Sequence, residues 1–289
     1  MIMNIWSNLI LATTMIVKIE SKDVIDIFTN FCDVDPETLN LTNDRLEMYN
    51  FYQSNCPSNE TNSDNDSGRQ RSFTSTTWAS NVIDAINGYG CWCYFGDDSL
   101  SGKGSTINDM DVICKVLQDG YSCIISDGED DGESCEDPWD QDYASATGFP
   151  FSSLSADNME TAILEACEDA NSDSDCSARV CAVQGYFVLS IFELFLSGSS
   201  LDTSYKHSFG NMDTDTDCSH TDAGTSGQDK MCCGTYPLRF GHKDGNGDKS
   251  CCDYHVYDNT GDLACCEDTR VYDTTKVNCC SDGTVGVNC

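Results

Sequence analysis

Apolar positions spaced three or four residues apart predict several helices before position 200. One covers 72–87 and ends at Gly88, and the next begins after Asn108 or Asp109. Another covers 155–171, with Ser155 or Asp157 as its cap. Residues 178–196 form the most apolar stretch and are too short to span a bilayer comfortably. We therefore expect 178–196 to be the buried central helix and expect no membrane span.

Polar segments and one apolar terminus set the expected boundaries. Residues 1–18 have the pattern of a secretory signal peptide, or of an N-terminal apolar helix if they are retained. Residues 19–200 are expected to form a helical, disulfide-linked domain. The acidic stretch 126–142 predicts a loop, and the Ser/Thr/Asp-rich segment 201–230 predicts a linker.

Residues 231–289 differ in kind, because pairs of adjacent cysteines alternate with short strand-like runs. A repeat is visible, with Val256-Tyr257-Asp258 after one pair and Val271-Tyr272-Asp273 after the next. So small and polar a segment cannot build an apolar core, so disulfides must replace one. Adjacent cysteines rarely bridge each other, and each pair should therefore reach two different neighbours. A small β-rich cystine module is predicted here.

Twenty cysteines in 289 residues indicate a disulfide framework made in an oxidising compartment. Zinc is disfavoured because no CxxC occurs and the four histidines are scattered. Eleven cysteines precede position 231 and nine follow. If all are paired, at least one bridge joins the tail to the linker or the first domain, or joins two chains, and Cys218 is the expected candidate. The cysteines assigned to bridges are Cys91, Cys93, Cys114, Cys123, Cys232, Cys233, Cys251, Cys252, Cys265, Cys266, Cys279, Cys280 and Cys289.

The net charge of the chain limits the classes of partner that it can bind. With 49 acidic against 15 basic residues, the net charge of -34 repels nucleic acid and anionic membranes. No cofactor is expected apart from calcium, which Asp213, Asp215 and Asp217 could bind weakly at millimolar extracellular concentration. N-x-S/T triplets make Asn40, Asn59 and Asn65 candidate glycosylation sites.

Residues 89–123 carry the sharpest motif. Tyr89-Gly90-Cys91-Trp92-Cys93-Tyr94-Phe95-Gly96 is followed by a helix containing Asp111, Cys114 and Tyr121. This stretch resembles secreted phospholipase A2, whose calcium loop reads Tyr-Gly-Cys-x-Cys-Gly-x-Gly and whose helix reads Asp-x-Cys-Cys-x-x-His-Asp-x-Cys-Tyr. The resemblance covers about an eighth of the chain. It implies a helical scaffold and a bridge between Cys93 and Cys114.

The resemblance fails at the catalytic position. That family uses a His to deprotonate water and an adjacent Asp to hold calcium. Leu117 and Gln118 stand there without a gap, and Gln118 and Asp119 after a shift of one. Neither Leu nor Gln takes a proton near neutral pH, so we expect a phospholipase-like scaffold without the activity. Tyr94, in place of a Gly, also crowds the loop.

Together these features predict an α+β, disulfide-rich protein: a mainly helical phospholipase-A2-like domain and a β-rich cystine module. The tail is also similar to Cys-rich modules that close extracellular matrix and adhesion proteins. The predicted function is a secreted, non-catalytic subunit of a matrix, fibre or surface appendage, assembled by self-association or with related matrix proteins and by disulfides. The alternatives are a secreted calcium-dependent hydrolase of the phospholipase type and a calcium-responsive adhesive module.

Overall fold

The computed structural model describes residues 82–96, 100–132, 135–144, 159–196, 201–207, 212–218, 230–243 and 247–287. The segment 1–18 and the candidate glycosylation sites Asn40, Asn59 and Asn65 lie outside these residues, as does Cys289. The fold is α+β and disulfide-rich: a helical region is followed by a region of small β-hairpins, as predicted.

Three helices form the body of the protein. They are α1 (Asp109–Asp131), α2 (Met159–Ala170) and α3 (Asp175–Leu196). Asn108 caps α1, because its side chain accepts a hydrogen bond from the Asp111 amide. The acidic stretch expected as a loop from 126 onward is instead helical to Asp131. The helix continues because Cys123 and Ile124 are still buried in its last turns and bind it to the rest of the fold.

The core lies along α3, against which both α1 and α2 pack. The predicted buried central helix is confirmed. Its segment Asp175–Leu194 is long and apolar enough to cross a membrane, but 72% of the relevant window is buried within the protein. From α1, the side chains at three- and four-residue spacing face this core, as amphipathic patterning requires; they are Cys114, Leu117, Tyr121 and Ile124.

One polar side chain sits in the centre of this core with every hydrogen-bonding group satisfied. The Gln184 amide nitrogen donates to the Tyr121 hydroxyl at 2.8 Å and to the Pro138 carbonyl at 3.2 Å. Its oxygen accepts from the Tyr143 hydroxyl at 2.7 Å. Gln184 thereby ties α3 to α1 and to the segment 135–144 without leaving an unpaired buried group.

The segment predicted as a linker is bound to the body where the structure describes it. A 3-10 turn covers Thr203–Tyr205 and a short helix, α4, covers Thr214–Asp217. The next residue, Cys218, bonds Cys91, so the expected bridge from Cys218 to the tail is wrong. The tail is joined to the body by Cys123–Cys232 instead. This bridge takes one cysteine from each side of position 231, as the odd number of cysteines on each side requires.

The tail folds into four separate antiparallel hairpins, each a two-stranded sheet. Hairpin 1 pairs β1 (Lys230–Cys233) with β2 (Phe240–Lys243), and hairpin 2 pairs β3 (Lys249–Cys252) with β4 (His255–Asp258). Hairpin 3 pairs β5 (Leu263–Cys266) with β6 (Arg270–Asp273). Hairpin 4 pairs β7 (Asn278–Cys279) with β8 (Val285–Gly286).

Disulfides join the hairpins in series, and we call this arrangement the hairpin ladder. The first rung is Cys233–Cys251, the second Cys252–Cys265 and the third Cys266–Cys279. Each vicinal pair therefore bonds two different neighbours, as strain across a single peptide requires. Cys280 is also disulfide-bonded. Five residues of the described tail are buried, three of them rung cysteines; they are Cys233, Tyr236, Pro237, Cys252 and Cys266.

The strand register repeats with the sequence. In hairpins 2, 3 and 4 the first cysteine of each pair lies opposite a valine: Cys251 faces Val256, Cys265 faces Val271 and Cys279 faces Val285. The repeat visible in the sequence is therefore a structural repeat of one hairpin per vicinal pair. A single register is set by the turn and by the rung, since a slip of one residue would move each sulfur to the opposite face.

Candidate functional site

Two disulfides hold the 89–96 loop against the body at the place where the phospholipase resemblance puts a catalytic site. Cys93 bonds Cys114 on α1, which is the pair that the resemblance implied. Cys91 bonds Cys218, which follows α4. The loop is therefore fixed from two sides and its cysteines are buried.

Asp111 is the centre of the loop's hydrogen bonding. Its side chain is fully buried, and Oδ1 accepts from the amides of Cys91 at 2.9 Å and Trp92 at 2.7 Å. Oδ2 accepts from the Ile107 amide at 3.0 Å. Gly90, with φ of 61°, allows this close approach, because a Cβ there would lie 2.5 Å from Asp111 Oδ1. The carboxylate thus collects the loop's own amide groups.

Gln118 occupies one of the two positions where the resemblance expects a histidine. It is 2% exposed, and its Oε1 accepts from the Gly102 amide at 3.0 Å. Its Nε2 donates to the Trp92 carbonyl. A Cβ at position 102 would lie 2.5 Å from the Trp92 ring, so glycine is required by the packing. The amide therefore cross-links two loops by backbone hydrogen bonds.

Trp92 fills the space between these loops. The indole is 2% exposed and its Nε1 donates to the Gly104 carbonyl at 3.1 Å. Lys115 lies 5.1 Å from the ring centroid and pairs with Asp119 one helical turn away. Asp119, which the shifted register would make the calcium ligand of the family, is therefore engaged by an ammonium group.

His207 approaches the same loop from a segment more than one hundred positions further along the chain. Its Nε2 lies 2.7 Å from the Gly90 carbonyl, and its Nδ1 lies 3.2 Å from the Tyr94 hydroxyl. A carbonyl can only accept, so Nε2 carries a proton and donates to Gly90, while Nδ1 shares a second hydrogen bond with the Tyr94 hydroxyl. Both ring nitrogens are thus occupied. Sequence reasoning missed this residue because nothing local marks a lone His in a Ser-rich segment.

These contacts define what the site can do chemically. The Asp111 oxygens accept hydrogen bonds from three backbone amides, two of them buried, and Gln118 cannot act as a base near neutral pH. Leu117, the other candidate for the catalytic position, is buried in the apolar core. The side chains of Asp111 and Gln118 both bind backbone groups of the loops around them, which is the arrangement of a structural clamp.

A second polar cluster joins the ladder to the body. Arg239 makes a bidentate pair with Asp127 on α1, with Nε donating to Oδ2 at 2.8 Å and Nη2 donating to Oδ1 at 3.1 Å. The Tyr236 hydroxyl donates to Asp127 at 2.7 Å, and Arg179 of α3 stacks on the Tyr236 ring at 5.7 Å. A cleft of about 540 Å³ opens beside these residues. With Cys123–Cys232, this cluster fixes hairpin 1 on the helices.

The three aspartates expected to bind calcium are engaged in other contacts. Asp213 caps α4 by accepting from the Asp215 amide at 3.0 Å, and Asp217 accepts from the Asp213 amide at 2.9 Å. Asp215 pairs with Lys103 at 2.8 Å. Among the described residues, these three carboxylates do not form a group whose oxygens all lie within 4.8 Å of one another. Calcium binding there stays a prediction, and a bound ion would have to compete with the cap of α4 and with the Lys103–Asp215 ion pair.

Comparison with protein-family models, with curated proteins and with solved structures finds no match. The phospholipase resemblance accordingly rests on residues 89–123 alone.

Proposed function

We propose that this protein is a secreted, non-catalytic structural subunit that assembles into an extracellular matrix, fibre or surface appendage. The observation that carries the proposal is the hairpin ladder, in which disulfide rungs replace an apolar core and extend the chain from a rigid helical body. Such a cross-linked, polar extension suits mechanical and chemical persistence outside the cell. Eight described disulfides already require an oxidising environment.

The contacts of Asp111 and Gln118 with the loop backbone, which we call the loop clamp, support the proposal that the protein is not catalytic. Gln118 occupies the position where a general base would be needed, and its side-chain amide forms hydrogen bonds with two backbone groups. Replacing a base by an amide that braces the same loop keeps the scaffold and removes the proton acceptor. A calcium-dependent lipid hydrolase receives no comparable support, because Asp119 is paired with Lys115.

The ladder is also the part of the surface best suited to self-association. Of the seven large apolar side chains that are exposed among the described residues, four lie on the ladder: Met231, Val256, Leu263 and Val287. Each hairpin is a two-stranded sheet, so each strand has an outer edge that another strand can pair. Residues 230–289 hold nine of the 49 acidic and six of the 15 basic residues, a net charge of -3, which leaves -31 on residues 1–229.

Charge therefore selects which surfaces meet. Two copies repel strongly through their bodies and weakly through their ladders. We infer that ladder packs on ladder of a second copy. Every cysteine in the described part of the chain is bonded within the chain. The rungs therefore stabilise each subunit and do not join one subunit to another. We propose that the contact between ladders is non-covalent, so that the described cysteines take no part in disulfides between subunits.

Sedimentation velocity of the non-reduced protein over a range of concentrations tests this assembly. We expect oligomers or filaments in the native protein. Val256→Lys should raise the dissociation constant about ten- to a hundredfold, because an apolar side chain worth about 1.5–3 kcal/mol on burial is replaced by a charge.

Val112→Lys is the matched control. Val112 is 43% exposed on α1, close to the 38% of Val256, but it lies on the body. This variant should assemble like the native protein. A native protein that sediments as a monomer at every concentration, or equal effects of the two lysines, would refute the assembly through the ladder.

A further inference from the structure

The first rung has a histidine beside its sulfur atoms. His242 Nε2 lies 3.3 Å from Cys251 Sγ, and the ligand atoms of Cys233, His242 and Cys251 all lie within 4.8 Å of one another. Cys233 is buried, whereas His242 and Cys251 are half-buried. Within the described ranges no other group of three such side chains converges in this way.

The strands explain the convergence. Hairpin 1 carries Cys233 at the end of β1 and His242 on β2, while Cys251 comes from β3 of the next hairpin. The rung draws β3 against hairpin 1, so the imidazole of one hairpin meets the sulfur of the other. In hairpin 2, His255 lies opposite Cys252 across the sheet but is exposed to solvent.

We propose that Cys233, Cys251 and His242 form a redox-gated binding site for a thiophilic divalent cation such as Zn²⁺. With the rung closed, the two sulfurs bond each other and no metal binds. A dithiol reductant opens the rung by giving it two electrons and two protons and becoming a cyclic disulfide. Zn²⁺ then binds two thiolates and one neutral imidazole nitrogen, and the two thiol protons pass to water.

The ligand set and its spacing suit this cation. Two thiolates and one imidazole are the soft and borderline donors that zinc prefers, with a fourth position left for water. Metal–ligand bonds of about 2.0–2.3 Å in a tetrahedron place the ligand atoms roughly 3.3–3.8 Å apart. The present separations, all within 4.8 Å, need only side-chain rotation once the sulfur–sulfur bond is open.

The site coincides with the first rung, which is the disulfide that cross-links hairpins 1 and 2. Cys123–Cys232 still holds hairpin 1 on the body when the first rung opens, and hairpins 2 to 4 then stay joined to it through the backbone alone. A bound cation would restore a cross-link between hairpins 1 and 2 through metal–ligand bonds. The two hairpins would therefore stay cross-linked under reducing conditions when the metal is present.

The test uses the full chain treated with limiting dithiothreitol, with opened bridges identified by alkylation and mass spectrometry. Co²⁺ is added as a spectroscopic probe, because thiolate-to-cobalt charge transfer reports sulfur ligation, and Zn²⁺ is used to displace it. We expect one cation per chain after the first rung opens and none before. His242→Ala should weaken binding by more than about a hundredfold, since even outer-shell changes cost about 10- to 100-fold.

His255→Ala is the matched control and should bind Co²⁺ like the native chain. The double variant Cys233→Ser/Cys251→Ser should fold on its remaining bridges and bind no cation after the same treatment. Equal affinity in the two histidine variants, or binding retained in the double serine variant, would overturn the proposal. Failure of the first rung to open before the body unfolds would do the same.

Discussion

Replacing Cys252 and Cys265 together by serine should unfold the outer half of the hairpin ladder while the helical body stays folded. The second rung is the disulfide between hairpins 2 and 3, and none of residues 263–265 or 267–287 is buried. An isolated hairpin is marginal in water. Loss of a native disulfide from a small cystine domain costs about 2–5 kcal/mol, more than this segment can replace by packing.

Amide hydrogen exchange measures this outcome residue by residue. In the double variant we expect residues 263–287 to lose protection, with α1 and α3 unchanged. Val271→Ser provides the control, because Val271 lies opposite Cys265 in the sheet and its replacement leaves every bridge intact. Protection that persists across 263–287 in the double variant would show that something other than the rungs holds the ladder.

Asp111→Ala should destabilise the helical body by about 3 kcal/mol or more. The change leaves three amides without an acceptor, the buried ones of Cys91 and Trp92 and the partly buried one of Ile107. Each buried unsatisfied donor costs about 1–3 kcal/mol. The unfolding free energy of Asp111→Asn should lie between those of the native protein and of the alanine variant. One oxygen acceptor remains in the asparagine, but its new NH2 group faces a backbone donor.

Urea unfolding with all disulfides intact gives these free energies. Asp109→Ala is the control, since Asp109 lies in the same first turn of α1 but is exposed. Its effect should stay within about 0.5 kcal/mol. If the two alanine variants unfold at the same urea concentration, the clamp around Asp111 does not hold the loop.

The same carboxylate predicts a pH dependence. Burial raises the pKa of Asp111, opposed by its hydrogen bonds to the three amides and by His207. The folded protein therefore holds this proton more tightly than the unfolded chain, and the resulting stability is present below the ordinary pKa and lost as pH rises through the raised one. The difference in unfolding free energy between native and Asp111→Asn should shrink with rising pH, whereas a difference that grows would contradict this assignment.

Local features of the fold could be predicted from the sequence. Asn108 caps α1 through a contact three residues away, and the periodic apolar residues of 178–196 identified the central helix. The hairpins were also predictable, because each depends on a vicinal pair and a short repeat. In these cases the interactions that decide the structure lie within one element or its immediate neighbour.

Long-range pairings could not be predicted. Cys123 meets Cys232 across 109 positions and Cys91 meets Cys218 across 127, and nothing in cysteine spacing selects those partners. Asp127 was one of many acids in a stretch expected to be a loop, so its pairing with Arg239 carried no local signal. The roles of Asp213 and Asp215 in the cap of α4 and in the ion pair with Lys103 were likewise not predicted, because the pairing with Lys103 spans 112 positions.

The loop clamp combines both situations. The sequence showed that Gln118 could not replace a catalytic histidine, since that follows from side-chain chemistry. It did not show that the amide would join Trp92 to Gly102, because the 101–104 segment reaches α1 only through tertiary packing. The sequence therefore singled out the segment 89–123, and only the tertiary contacts show how its side chains hold the two loops together.

Mass spectrometry of peptides from the native, non-reduced protein tests the central claim most directly. The covalent ladder requires peptides linked as Cys233–Cys251, Cys252–Cys265 and Cys266–Cys279, with Cys123–Cys232 tying them to α1. We expect these four linkages and no alkylation of the eight cysteines before reduction. Free thiols at these positions in the folded protein, or linkages that skip a hairpin, would contradict a polypeptide held together by serial cross-links.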